Sequence, residues 1–448
     1  MKPMSPTGGQ TENILLIVLV QLIVIVAASR IFGSLFRRMG QPLVCGEIAA
    51  GLILGPSFFG GMFPHLFHTV FNPSVGQIFA IMSQIGLILL MFLIGLEFDF
   101  GHLSNNRGTA LSISMAGIIL PFSLGFLLGR WMHAALHMSG TWLNLALFMA
   151  AAMSITAIPI LGRIMVELNI SRTRIGSLTI SAAAADDASG WILLALVTAI
   201  ARSTLNPIKL AVMILEVVAF ALCMVWGVRP LLKKWTARQM REHQGKLSLG
   251  GLAILLIMIL VAAIITNLIG IFSIFGAFFF GALLYDQHEF RQAVQERLRD
   301  FVTVFFLPIF FTYTGLRTDI GTMGGSGLWF MCGLVLLTAF VGKFGGCWLA
   351  ARFSGLPWRE ASMIGIMMNT RALMELIVIN IGFELGVIPK SVFFMLVFMA
   401  VASTYVTTPV LRRLVRSSEL EQHYMNSEFA KQIEFPRSGE VLSPVTLV

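Results

Sequence analysis

Two adjacent carboxylates, Asp186 and Asp187, stand in the middle of an apolar stretch, 174–200 (RIGSLTISAAAADDASGWILLALVTAI), long enough to cross a bilayer. A charge at that depth costs roughly 2.5–3.5 kcal/mol on insertion scales, so a neighbouring pair points to an ion or proton site. The other charges within apolar stretches are few: Lys343 and Arg371 are the cations, and Glu375, Glu216 and the shallower Glu47 are the anions. Arg371 and Glu375 are four residues apart, so on continuous helix they share a face and neutralise each other. Lys343 is then free to pair with one aspartate, which leaves the other without a permanent partner. A buried carboxylate in that position either holds a proton or binds a cation. These two states exclude one another, and competition between them is the minimum chemistry of cation/proton exchange.

A second component lies in Ser154-Ile155-Thr156-Ala157-Ile158-Pro159. Pro159 removes a backbone donor and clashes with the carbonyl four residues back, so the helix is expected to break near Thr156. The freed carbonyls and the hydroxyls of Ser154 and Thr156 are oxygen ligands suited to a hard monovalent cation, beside Asp186 and Asp187. Asn369-Thr370-Arg371 carries polar residues at the matching depth of a later stretch, without a proline. Unwound backbone at such depth is tolerated where it lines a cavity. Other chemistries find little support. The four cysteines lack metal-ligand or CxxC spacing, and Gly342-Lys343-Phe344-Gly345-Gly346 lacks the Walker A spacing. No catalytic residue and no cofactor is implied. An aspartyl protease needs two carboxylates facing one water, whereas neighbours on a helix diverge by about 100°.

The elements that position these residues are membrane-spanning. The chain has 448 residues, 57% hydrophobic and 12% charged, with a mean hydropathy of +0.85, against about 25% charged in soluble domains. A spanning helix needs roughly 20 apolar residues. About thirteen candidates follow one another: 13–32, 43–54, 76–97, 108–131, 142–164, 174–200, 209–232, 247–266, 271–284, 301–316, 328–351, 361–383 and 391–414. Between them no large soluble domain fits. A short tail, 1–12, precedes the membrane domain of 13–415, and a tail of 416–448 follows it.

Motifs recur seven spans apart. Gly46 and Gly51 match Gly276 and Gly281; Gly95-Leu96-Glu97 and Asp99 match Gly315-Leu316-Arg317 and Asp319; Glu167-Leu168-Asn169-Ile170 matches Glu384-Leu385-Gly386-Val387. Because seven is odd, the second copy enters from the opposite face. The expected fold is therefore all-α, with two inverted six-helix repeats, about 13–200 and 247–415, around a linker helix at 209–232, and interrupted helices crossing in the core. Loops after odd-numbered spans, with the C-terminal tail, carry most of the 31 Lys/Arg. That places the N-terminus outside and the C-terminus in the cytoplasm. The net charge of +9 then reflects topology and contact with anionic lipid headgroups, with no need for nucleic acid.

The stretches SITAIPILGRIMVELNI, SAAAADDASGWILLA, FFLPIFFTYTGLRTDI, GKFGG and MMNTRALMELIVINIG resemble, in order and spacing, the monovalent cation:proton antiporter-2 family. The resemblance implies a homodimer in the bacterial cytoplasmic membrane. It also implies a dimerisation domain of spans one, two, eight and nine, and a core of spans three to six and ten to thirteen that moves like an elevator. By resemblance, Asp187 looks like the carboxylate shared by cation and proton, Asp186 the neighbour paired with Lys343, and Arg371 and Glu375 part of the second interrupted helix. Asp-Asp with a lysine goes with electrogenic exchange in related proteins. A channel or K+-efflux pathway of the same fold, without obligatory proton coupling, is the alternative reading. Glu47, Glu97 and Asp99 read as interfacial or structural, and Glu216 has no assigned partner.

Overall fold

The computed structural model describes residues 8–41, 43–72, 75–97, 107–170, 173–202, 207–371, 373–416, 418 and 420–425. Asp99 and the end of the C-terminal tail lie outside them. In the first half run α1 (Gly8–Arg38), α2 (Leu43–Leu54), α3 (Phe59–Met62), α4 (Pro64–Val70), α5 (Gly76–Glu97), α6 (Arg107–Ala135), α7 (Trp142–Ser154), α8 (Ile158–Glu167) and α9 (Arg174–Arg202). Next come α10 (Pro207–Leu222), a π-helical turn (Cys223–Val228) and α11 (Arg229–Glu242). The second half has α12 (Leu249–Ile269), α13 (Ser273–Ala282), α14 (His288–Phe301), α15 (Leu307–Leu316), α16 (Ser326–Phe353), α17 (Trp358–Met368), α18 (Leu373–Glu384), α19 (Lys390–Arg416) and α20 (Glu421–Met425). The chain is an all-α polytopic membrane protein.

Among the described residues, ten helices are long and apolar enough to cross a membrane, or eleven if the bent pair α17/α18 is one span. α7 and α13 are apolar but shorter than a full crossing. The expectation of about thirteen spans counts α7 together with α8 as one crossing, and α13 as another.

The motifs that recur in sequence share local geometry. Asn169 and Gly386 both lie in the left-handed region, φ 56° and 70°. In each case the next N–H reaches back five residues, Ile170 to Met165 at 2.9 Å and Val387 to Gly382 at 2.9 Å. This is a Schellman helix end, which requires a residue that tolerates positive φ; glycine and asparagine do.

Four of the repeated glycines make two close helix crossings. α2 meets α15 where a Cβ on Gly51 would lie 2.6 Å from the Thr312 carbonyl oxygen, and one on Gly315 2.6 Å from Gly51 Cα. α13 meets α5 where a Cβ on Gly281 would strike the Phe92 carbonyl oxygen and lie 2.9 Å from Leu96 N, and one on Gly95 would strike the Phe278 carbonyl oxygen. Small residues let backbones approach, which is how helices bind one another in lipid. Gly281→Val is therefore expected to destabilise the protein by about 1–3 kcal/mol or more through overpacking. Gly250→Ala, where nothing lies within 4 Å, should leave thermal unfolding in detergent unchanged.

These crossings correct the expected division of the core. α5 and α15, the third and tenth spans, pack backbone to backbone on α13 and α2, so they belong with α1, α2, α12 and α13. The other bundle is α6, α7, α8, α9, α16, α17, α18 and α19. Resemblance had grouped spans three and ten with the core, but backbone contact leaves no side-chain layer along which they could slide on α2 and α13.

The linker stands apart. Asp286, after α13, pairs with Arg229 at 3.1 Å and Lys233 at 2.5 Å, fastening α11 to the first bundle. Partial burial acts to raise the Asp286 carboxyl, but Lys233 and Arg229 outweigh it and hold the group below the usual carboxylate range. Glu216 faces outward from α10. Glu47, read as interfacial or structural, is buried in α2 at 1% exposure.

Candidate ion-binding site

The fifth span breaks where the proline argument places it. α7 ends at Ser154, Ile155 is extended, residues 155–157 are non-helical, and α8 starts at Ile158 with Pro159 as its second residue. A proline in the first turn costs nothing, since that N–H has no intrahelical partner anyway. The twelfth span breaks without proline, α17 ending at Met368 and α18 starting at Leu373 with a bend of 42°.

Each break completes the other. The Ala157 N–H donates to the Thr370 carbonyl at 3.0 Å, and the Thr156 hydroxyl donates to the Met368 carbonyl at 2.9 Å. From α19, the Thr404 hydroxyl accepts the Arg371 N–H at 3.0 Å and donates to the Arg371 carbonyl. Freed backbone groups at membrane depth thus find partners within the protein, as they must.

The carbonyls at the C-terminus of α7, the negative end of its dipole, are met by cations. Arg371 donates through Nη1 to Ala152 O at 3.0 Å and through Nη2 to Met153 O at 2.8 Å, and it also reaches Ala339 O on α16 at 3.2 Å. Lys343 Nζ donates to Ser154 O. The expected contact between Arg371 and Glu375 is present at 3.2 Å, but its premise of a continuous helix is wrong. Arg371 lies in the break, and two of its four side-chain hydrogen bonds cap α7. Glu375 occupies the first turn of α18, where the dipole favours a carboxylate.

Lys343 and Asp186 form an ion pair inside the second bundle, Nζ lying 3.0 Å from Oδ1 and 2.9 Å from Oδ2, with neither side chain exposed. Thr156 faces the same carboxylate through its side chain and backbone. Asp187, 1% exposed, has no such partner: its Oδ1 is buried without a hydrogen bond. One turn on, the Trp191 side chain approaches it, and that indole stacks on Phe278 of α13 at 4.8 Å between centroids. Thr156 was expected at Asp187; its hydroxyl is directed to the Met368 carbonyl at 2.9 Å, beside the aspartate pair. The Ser154 hydroxyl donates to Ala151 O at 3.0 Å, and the Thr370 hydroxyl to Met367 O at 2.9 Å, so both are turned back on their own helices. Asn369 is wholly buried, and both atoms of its amide lack a partner.

Two residues at the site were missed by sequence reasoning. Trp191 follows Asp187 by one turn of an otherwise aliphatic face, a signal that was available. Thr404 lies 33 residues from the backbone it completes, and nothing local marks it.

The profile of the transmembrane sodium/hydrogen exchanger family matches residues 22–417. The Na+/H+ antiporter NhaS4 of Synechocystis is 38% identical over 90% of this chain and 98% of its own length. Cation/H+ antiporter 20 of Arabidopsis thaliana is 36% identical over 89% of this chain but only 48% of its own length, so the chain spans about half of that relative. Among solved structures, the sodium/proton antiporter MjNhaP1 of Methanocaldococcus jannaschii shares the fold, with a TM-score of 0.56 over 92% of this chain and 99% of its own, at 13% identity.

Proposed function

Because the chain belongs to the transmembrane sodium/hydrogen exchanger family, we propose that it is a secondary antiporter trading a monovalent cation, Na+ or K+, for protons, with cation and proton competing for Asp187. The observation that carries this reading is the contrast between neighbours: Asp186 is neutralised by Lys343 at 2.9 Å, while Asp187 Oδ1 is buried with no hydrogen-bond partner. A carboxylate left in that state takes whichever positive species reaches it. The carbonyl-rich breaks and the unpartnered amide of Asn369 supply oxygen donors of the kind an alkali cation takes. Relatives whose names give Na+, or cation without further choice, leave the ion open.

In this reading the broken-helix bundle moves against the glycine-packed bundle, an elevator in which the two sets of spans slide as units. The basic face lies in the cytoplasm against anionic headgroups, and two copies pair through the static bundle. The exchange is electrogenic, with more protons than cations moved per cycle. Purified protein in vesicles, with the potential clamped and Na+, K+ or Li+ added in turn, provides the test. Proton movement that requires one of these cations and responds to the potential is the expected result. Cation flux at channel rates without proton movement would overturn the reading.

A further inference from the structure

At one end of the boundary between the two bundles lies a cavity of about 350 Å³, lined among others by Gln84, Asn267, Phe272, Tyr313, Asn380 and Glu384. At this cavity two polar groups of α18 reach across to the glycine-packed bundle. Glu384 accepts from Arg317 Nη1 at 3.3 Å and from Gln84 Nε2 of α5 at 3.3 Å. One turn earlier, Asn380 Nδ2 donates to Thr314 Oγ1 of α15 at 3.0 Å.

Arg317 is aimed before it meets Glu384. Its Nη2 donates to Tyr313 Oη at 2.6 Å, and its guanidinium lies 4.2 Å from that ring's centroid. It also lies 5.8 Å from the ring of Phe383 on α18. The ion pair is reached by solvent, with side-chain exposures of 22% and 30%. Pairs of that kind are weak, so they part and re-form readily. A buried pair in the same place would hold the bundles together.

We infer that Glu384 and Asn380 are positioning residues: they clasp the moving bundle to the static one in the conformation seen here, and the clasp opens in every transport cycle. The inference rests on the proposed exchange and on relative motion of the bundles. It assigns a role to a motif, Glu384-Leu385-Gly386-Val387, that had none beyond its recurrence.

Two measurements test it. In protein whose four native cysteines are replaced, Gln84→Cys with Glu384→Cys is treated in vesicles with a short bifunctional thiol reagent that reductant cleaves. Cross-linking should stop cation-dependent proton movement, and reductant should restore it. Failure to cross-link, or full exchange while cross-linked, overturns the clasp; so does equal inhibition of the single-cysteine variants. If the proposed function itself is wrong, the untreated double variant and the parent chain show no exchange at all, which separates the two failures. In the native-cysteine background, Glu384→Gln should shift half-saturation for the cation offered at this face by up to about fivefold, the ceiling for an exposed pair. Exchanging the charges, Glu384→Arg with Arg317→Glu, should bring it back. A charge exchange no better than Glu384→Arg alone counts against the ion pair.

Discussion

Asp187→Asn is expected to abolish cation-dependent proton movement in vesicles while leaving the protein folded. The separation of these two effects follows from the surroundings of the side chain. Asp187 Oδ1 is buried without a hydrogen bond, so no structural interaction at that atom is lost when the carboxylate becomes an amide. Unlike Asp186, which Lys343 neutralises, Asp187 has no ion-pair partner among the described residues, so removing its charge strands no cation. Thermal unfolding of the variant in detergent should therefore match or exceed that of the parent, with activity at background. In the parent, competition of one proton with one cation makes the half-saturating cation concentration rise by up to about tenfold for each pH unit of acidification, over the range in which the site is mostly protonated. Retained exchange in Asp187→Asn would remove Asp187 from the ion path. A half-saturation independent of pH would remove competition as the coupling device.

The charge balance at membrane depth was legible from residue types, because so few charges are involved and each must be neutralised. A pair between Lys343 and one of the two aspartates follows from that argument; the choice of Asp186 came from the family resemblance, and the structure places Lys343 2.9 Å from Asp186. Pro159 likewise marks its break locally. What sequence does not carry is the crossing of the two breaks. Arg371 was assigned to Glu375 by helical spacing, yet three of its hydrogen bonds go to Ala152, Met153 and Ala339, over 200 residues earlier for the first two and 32 for the last. The break after Met368 forms without a proline, and its backbone is completed through space by the Thr404 hydroxyl at Arg371 and by the Ala157 N–H at the Thr370 carbonyl. Both are consequences of packing, for which a helical wheel has no coordinate.

The division into bundles was misjudged for a different reason. Gly51, Gly95, Gly281 and Gly315 were read as evidence of a repeat, which they are as a pattern, but their physical meaning is contact. Each lies where another backbone occupies the space of a Cβ. A pair of helices joined in that way moves together, so the glycines that revealed recurrence also mark the static scaffold. The surfaces between bundles are of another kind. There the contacts are side chains, Trp191 on Phe278, Asn380 on Thr314 and Arg317 on Glu384, all of which separate without disturbing a helix.

Lys343→Gln has the second largest expected effect, and it acts on stability and on charge movement together. With the ammonium gone, Asp186 is left buried, and Ser154 O at the end of α7 loses a donor. Breaking a buried pair by deleting one partner costs about 3–5 kcal/mol, so the single variant should unfold at markedly lower temperature. Adding Asp186→Asn removes the stranded carboxylate and should recover most of that loss. Transport is then read in the stable double variant. Exchange of one proton for one univalent cation at Asp187 moves no net charge, so an electrogenic cycle needs a second proton carrier at depth. Among the described residues, Lys343 is the sole lysine buried in the protein, and its partner sits beside the ion site. The double variant should keep cation/proton exchange at Asp187 but lose its dependence on membrane potential. Unaltered charge movement per cation in that variant would place the second proton on another group, with Glu375, whose Oε2 is buried without a partner, the next to replace.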